Sequence, residues 1–363
     1  MKLLVIGGGM AGCCGIAAVR QLDKDVEIVL VEPKDYMEVL WASYRSPFDD
    51  KTANDSTYEL GPFCKANNVT QIRTTVESLT TDQATLADDT VIEFDVCLVA
   101  VGASIPWTGS GNGLPQGYDG SRAGRLAHMK AAGQELLDVK KRLLIIGGGM
   151  IGSELAGDVA YFSGGKKKVT LVHSKKLLGD PAFIKPPAAK MIQRKLTKLG
   201  VEVILGAHAA VEDDGVTVVL QETGQTTKAD QIVRTTGLSP LNKFVAIDNA
   251  LTDRGFLDTD DMFVVAGSNG KVLGYGDCCI TLPNSGSELL GNMSIIGNNL
   301  KAALDGKTTA MKKAKPGPVM AVVTVGSKTG VAQTPLFKTQ FVLPAFKNKT
   351  QFLSRVEKFL GLE

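Results

Sequence analysis

The chain has 363 residues, 44% of them hydrophobic and 21% charged, with a net charge of +2. That size and mix suit a globular protein of two domains with room for a small third. The near-neutral balance excludes the dense basic face that nucleic acid requires, and no apolar run approaches the roughly 20 residues that span a bilayer.

In chain order, Leu3 to Ile6 reads as a strand. The glycine turn Gly7-Gly8-Gly9-Met10-Ala11-Gly12 follows, then a helix from Cys13 to Leu22 and a second strand from Val26 to Glu32. This is β-α-β opened by G-x-G-x-x-G. Gly7 permits the tight turn, Gly9 lets a pyrophosphate approach the backbone, and Gly12 lets the helix pack on the strand. The helix N-terminus, with Gly8, Met10 and Ala11 around it, presents N–H groups to phosphates. Glu32, twenty residues after Gly12, is placed to accept hydrogen bonds from an adenosine ribose, which suits FAD or NAD and repels a 2′-phosphate. Lys34 and Val76 are set beside these as cofactor contacts. Phe94 to Gly102 reads as a buried strand ending in glycine, with Gly102 at the cofactor.

The pattern recurs 140 residues later, a domain-scale duplication. Leu143 to Ile146 is the strand, Gly147-Gly148-Gly149-Met150-Ile151-Gly152 the turn, Ser153 to Phe162 the helix, and Val169 to His173 the second strand. Gly147, Gly149 and Gly152 take the roles of Gly7, Gly9 and Gly12, with Met150 and Ile151 at the helix start. Where the first unit has Glu32, the second has His173, followed by Ser174, Lys175 and Lys176. A hydroxyl and two cations tolerate or attract the 2′-phosphate of NADPH, so NADPH is expected to serve at least as well as NADH. The two lysines also read as an ordinary solvated loop. Ile232 to Gly237 repeats the strand-glycine pattern, with Gly237 at the second nucleotide.

After the apolar run Met262 to Ala266 comes Gly276-Asp277, where Asp277 is placed to hold the ribityl or pyrophosphate end of FAD; elsewhere a lone Gly-Asp is a turn. In the tail, Met320 to Val325 and Gln340 to Leu343 read as strands and Phe352 to Leu360 as a short helix. Phe352, Val356, Phe359 and Leu360 share one face of it, flanked by Lys349, Arg355 and Lys358. Such a stripe docks on its own protein or lies on a membrane. The fold class is therefore α/β, with two Rossmann-like dinucleotide-binding domains and a small α+β C-terminal domain. The expected boundaries are 1–108 with 251–306 for FAD, 109–250 for NAD(P)H and 307–363 for the tail.

Six cysteines show no metal-ligand spacing, and neither C-x4-C nor C-x2-C occurs, so no dithiol relay is expected. Cys278-Cys279 and Cys13-Cys14 read as packing. His128, His173 and His208 lie far apart, with no paired ligand spacing, so no metal is expected. Lys2 stands where N-myristoylation needs Gly. With a strand expected so close to the start, no signal peptide is anticipated, and a cytoplasmic protein is expected, with peripheral membrane contact through the tail helix and a homodimer both left open.

The double fingerprint, the two strand-glycine motifs and the late Gly-Asp resemble the two-dinucleotide flavoprotein superfamily. More narrowly, Glu32-Pro33-Lys34-Asp35-Tyr36, Trp41-Ala42-Ser43-Tyr44-Arg45-Ser46 and Val169-Thr170-Leu171-Val172-His173-Ser174 resemble the ferroptosis suppressor family, also called AIF-homologous mitochondrion-associated inducer of death. In the tail, Gly326 to Gln333 and Lys347 to Phe352 resemble it too. The resemblance implies FAD-dependent oxidation of NAD(P)H, with electrons passed to a quinone or an artificial acceptor. It implies that Arg45 touches FAD, that Glu154 lies near the nicotinamide, and that Lys347 and Phe352 come close to the flavin or acceptor. Glu154 alone is also a helix first-turn acid favoured by the dipole. The segment Asn284 to Glu288 and the stretch Gly267 to Leu273 depart from the family pattern. An AIF-like signalling flavoprotein, or a reductase of an iron–sulfur electron carrier, are the competing readings.

Overall fold

The computed structural model describes residues 1–104, 118–282, 285–318, 320–334, 338–339 and 342–361. Strand β1 (Lys2–Ile6), helix α1 (Met10–Leu22) and strand β2 (Glu27–Val31) form the first β-α-β unit, extended by β3 (Val69–Ile72) and β4 (Val96–Val99). The second unit has β5 (Leu143–Ile146), α2 (Met150–Phe162), β6 (Val169–His173), α3 (Pro186–Lys198), β7 (Glu202–Leu205) and β8 (Gln231–Arg234). The chain then returns to lay β9 (Val272–Gly274) onto the first sheet. Every strand pair in both sheets is parallel. The first sheet runs β9-β4-β1-β2-β3 and the second β7-β6-β5-β8.

The strand sequences explain this. β1, β4 and β5 are continuous apolar runs with almost no polar face, as expected of strands covered on both sides. In each sheet the order reverses at the first strand, between β2 and β4 and between β6 and β8. A crevice opens there, outside the carboxyl ends of the strands, where nucleotides bind in this architecture. The main core lies between the first sheet and α1, joined by α4 (Met293–Leu304), whose Ile296 and Leu300 are fully buried.

The strand preceding Gly276-Asp277 is not the apolar run Met262 to Ala266. That run makes only isolated bridges, such as Val264 with Leu273, because Phe263 adopts a left-handed φ of 70° that an extended strand cannot accommodate. β9 takes the place, beginning ten residues later than Met262.

The tail forms an antiparallel hairpin, β10 (Ala321–Val325) and β11 (Thr329–Gln333), with β12 (Lys338–Thr339) beside it, then helices α5 (Val342–Thr350) and α6 (Leu353–Leu360). The strand expected at Gln340–Leu343 is therefore misplaced: Gln340 and Phe341 lie outside the described residues, and Val342 and Leu343 begin α5. Helix α6 docks on the protein: Val356 and Leu360 of the stripe, with Leu353, are buried in the core that contains α1, while Phe352 is half-buried and the side chains of Arg355 and Phe359 lie outside the described residues. No described helix is long and apolar enough to cross a membrane.

Candidate functional site

The first glycine turn builds a cradle. Gly7 has φ 103°, and a Cβ there would stand 2.5 Å from the Ala100 carbonyl oxygen. A Cβ on Gly12 would stand 2.0 Å from the Gly7 oxygen, so α1 rests directly on the turn. Above Gly9 there is nothing within 4 Å. This open space belongs to a groove of about 920 Å³ that contains Gly9, Met10, Ala11, Glu32, Lys34, Gly102 and Asp277. The structure thus brings together most of the residues expected at FAD. Glu32 is buried; its Oε2 accepts from Gly8 N at 2.7 Å, and its Oε1 accepts from Lys34 N at 3.0 Å and faces Lys34 Nζ at 3.2 Å. Asp277 closes the far side, and burial pushes its carboxyl up from the usual range. An elongated groove with an unfilled backbone at Gly9, a helix N-terminus and a carboxylate at each end fits FAD.

The groove also contains residues the sequence did not single out: Tyr36, Glu38 and Trp41 on one wall and Leu289 on another. Beneath it, Glu38 accepts both Nε and Nη2 of buried Arg125, at 2.9 and 3.0 Å. Trp41 packs so closely that a Cβ on Gly286 would stand 2.5 Å from its ring. Val76 does not line the groove. It pairs with Leu86 in a small antiparallel sheet, half-buried against the core.

The second turn repeats the construction. Gly147 has φ 113°, a Cβ on Gly152 would stand 1.9 Å from the Gly147 oxygen, and Gly149 has nothing within 4 Å. Met150 and Ile151 are half-buried at the start of α2, and Gly237 follows β8 with φ 77°. His173 Nδ1 accepts from Gly148 N at 3.1 Å, as Glu32 does from Gly8. Burial, then the neighbouring Lys175 charge, push the imidazole pKa below its ordinary value, while the Leu177 carbonyl opposes them. Ser174 and Lys175 are exposed. The open backbone at Gly149 fits a second dinucleotide.

Between the two units lies a buried polar cluster built from three parts of the chain. Glu154, in the first turn and a half of α2, is buried; its Oε1 accepts from Thr324 N at 2.8 Å, Thr324 Oγ1 at 2.9 Å and Lys347 Nζ at 2.7 Å. Two expected catalytic residues, 193 positions apart, are thus in direct contact. Lys347 Nζ also donates to the Val322 carbonyl at 2.8 Å and sits over the Tyr44 ring at 5.2 Å. Tyr44 Oη lies 3.1 Å from Thr324 Oγ1, whose one proton it shares with Glu154, and donates to Gln351 Oε1 at 2.8 Å. Burial raises the Tyr44 phenol well above its usual pKa, so it stays protonated as that donor. Phe352 follows Gln351, and both hold left-handed φ, 47° and 59°. The Gln351 carbonyl accepts from Trp41 Nε1 at 2.8 Å, which fastens Phe352 beside a residue of the groove.

Arg45 sits elsewhere than its expected place. It does not line the groove; its Nε and Nη2 grip Asp158 at 2.6 and 2.9 Å, and Nη2 donates to Asn348 Oδ1 at 3.1 Å. Asp158 lies one helical turn after Glu154, so both acids of α2 face the tail and the first unit. That i, i+4 spacing was the available sequence signal. Lys347→Met is expected to lower stability by about 3 kcal/mol, because it strands the buried Glu154 carboxylate; a thermal midpoint unchanged from the parent would refute the pairing. No group of His, Cys, Asp and Glu among the described residues could hold a metal ion. All six cysteines are buried, and Cys278 and Cys279 stand with sulfurs 3.5 Å apart as free thiols.

Comparison with known proteins agrees with this geometry. The chain is 27% identical over 258 residues to Fe-regulated protein 8 of Mycosarcoma maydis, covering 67% of this chain and 62% of that protein. It is 22% identical over 383 residues to ferroptosis suppressor protein 1 of Taeniopygia guttata, covering 99% and 96%. Among solved structures, the sulfide:quinone oxidoreductase of Aquifex aeolicus superposes with a TM-score of 0.78 at 17% identity, covering 99% of this chain and 92% of that one. Residues 1–295 match the pyridine nucleotide-disulphide oxidoreductase family; with its two glycine cradles, the chain belongs to that family and is an FAD-dependent oxidoreductase of NAD(P)H.

Proposed function

We propose that this protein passes electrons from NAD(P)H to a quinone-type acceptor. The observation that carries the reading is the aromatic and apolar wall where the groove meets the tail. Trp41, Leu40 and Leu289 line the groove there. The Trp41 hydrogen bond to the Gln351 carbonyl brings the start of α6 alongside, where Phe352 packs on Phe346 with ring centroids 5.5 Å apart, and Phe346 is 46% exposed. Flat apolar rings recognise a flat apolar ring.

FAD, when bound, supplies the two-electron redox centre that NAD(P)H reduces. The chain's own part is binding and alignment. Gly9 and Gly149 admit one pyrophosphate each, and Glu32 orients the first adenosine. Glu154 and Lys347, held by Thr324 and Val322, fix the start of α2 against the tail, so that the two nucleotides enter at a set angle. Phe352 borders the acceptor. The units of the reading follow the expected division, 1–108 with 251–306 for FAD, 109–250 for NAD(P)H and 307–363 for the tail. All six cysteines are buried, and the adjacent thiols Cys278 and Cys279 follow Asp277 without themselves lining the groove.

The test is anaerobic. Purified yellow protein is expected to bleach on one equivalent of NAD(P)H and to regain colour within the mixing time of a soluble short-chain quinone. Bleaching without reoxidation by any quinone, alongside rapid electron transfer to rubredoxin or ferredoxin, would overturn the acceptor assignment and leave the oxidoreductase intact.

A further inference from the structure

The two nucleotide units meet one requirement with different chemistry. In each turn the N–H of the second glycine needs an acceptor, and the residue following or ending the second strand supplies it: Glu32 Oε2 for Gly8 at 2.7 Å, His173 Nδ1 for Gly148 at 3.1 Å. The carboxylate has a second oxygen left, and it lines the FAD groove. The imidazole has no second acceptor. With its Nδ1 lone pair spent on Gly148, the ring proton must sit on Nε2, which is buried, has no partner at full hydrogen-bond geometry and leans only on the Leu177 carbonyl. Residue 173 therefore offers an adenosine ribose neither an acceptor for its 2′-hydroxyl nor a negative charge to repel a 2′-phosphate. Its depressed pKa keeps the ring neutral in this role.

The next residues supply the opposite charge. The Lys175 carbonyl accepts from Gly206 N at 3.0 Å and the His173 carbonyl from Ala207 N at 3.1 Å, which pins this backbone along the end of β7. Ser174, Lys175 and Lys176 are exposed, and among the described residues neither lysine pairs with an acid. Unneutralised ammonium groups thus stand immediately beyond the strand end where the ribose lies in this fold. An ordinary solvated loop would not need the acid replaced in the turn as well.

We infer that the second site selects the 2′-phosphorylated nucleotide, NADPH, over NADH, with Lys175 as the phosphate's counter-charge and His173 as the uncharged prop that holds the glycine turn. The inference rests on the NAD(P)H-oxidising reading and is independent of the acceptor.

The test separates binding from turnover. The FAD-loaded protein is titrated calorimetrically with 2′,5′-ADP and with 5′-AMP, which differ at the decisive phosphate. The parent is expected to bind 2′,5′-ADP at least about tenfold more tightly, since a charge-assisted hydrogen bond contributes that much, and raised salt should shrink the difference. Lys175→Ala should remove most of the preference while leaving 5′-AMP unchanged. His173→Glu, checked for retained yellow colour, should reverse the preference and lower the NADPH to NADH ratio of kcat/KM with ferricyanide. Equal affinities in the parent, no binding of 2′,5′-ADP, or a Lys175→Ala change that weakens both probes alike would each overturn the assignment, whatever His173→Glu does. None of these results bears on whether a quinone is the acceptor.

Discussion

Replacing Arg45 by Ala is expected to lower stability by about 3–5 kcal/mol, the usual consequence of removing one partner of a buried ion pair. The guanidinium is 2% exposed and Asp158 is fully buried. Two short bonds join them, at 2.6 and 2.9 Å, with Asn348 Oδ1 completing the arrangement at 3.1 Å and the Phe162 ring 5.7 Å away. Burial pushes the Asp158 carboxyl up to about 7 even though Arg45 pulls it down. Without Arg45 it rises further and takes a proton. The sign of the pH effect follows. A carboxyl whose folded pKa exceeds its unfolded value binds more protons in the native state, so stability is lost as pH rises between the two values. Arg45→Ala should therefore be more damaged at pH 8 than at pH 5.5, relative to the parent at each pH. The check is the urea midpoint of the FAD-loaded protein at both values. Arg45→Met with Asp158→Asn should recover part of the loss, because no charge is then stranded. A single variant within 1 kcal/mol of the parent, by the denaturant slope usual for its size, would refute this account.

Gly12→Ala and Gly152→Ala should fail in different ways. Each added methyl would meet backbone that cannot retreat without unmaking the turn: the Gly7 oxygen at 2.0 Å in one, the Gly147 oxygen at 1.9 Å in the other, where Thr235 Oγ1 also lies at 2.5 Å. Gly12→Ala is expected to purify without flavin colour. Gly152→Ala should stay yellow, yet need at least about a hundredfold more NAD(P)H for half-reduction, which corresponds to about 2.7 kcal/mol at 1.36 kcal/mol per decade. Gly61→Ala is the control: the glycine is exposed at the start of a helix, with nothing within 4 Å of the added carbon. Normal bleaching of Gly152→Ala at low nucleotide, or loss of its colour, would remove the assignment of one cofactor to each turn.

The glycine turns were legible because their chemistry is local. Six consecutive positions carry the turn, the approach and the helix contact, and the duplication 140 residues on repeats them. Glu32 was legible through its distance from the first turn, and Asp277 through the place of its Gly-Asp after both nucleotide units. The polar cluster was not, because nearly all its bonds join residues more than 100 positions apart, and no periodicity records such pairs. Glu154 and Lys347 were singled out only through family resemblance; their contact with each other was a structural result. Arg45 was placed at the flavin by the same resemblance, and its partner Asp158 looked like one more helix residue. β9 was missed since Val272–Gly274 is short and glycine-flanked, whereas Met262 to Ala266 has a better strand composition and a left-handed Phe263 that composition cannot reveal. The tail strand was misassigned at Gln340 to Leu343 because a proline, Pro344, follows it; here that proline lies inside the first turn of α5, where its missing N–H costs nothing.

The tail also changes what a shortened protein would be. The family match ends at residue 295, yet Gly157 lacks a side chain where Val325 and Gly326 press on α2, and Gln351 holds Tyr44 and Trp41 of the opposite lobe. A chain stopped just after α4, a little beyond the end of the match, would retain both cofactor berths without the clasp that joins the two lobes. Such a fragment should take up flavin and nicotinamide separately and reduce one with the other only at chance encounters of the two lobes.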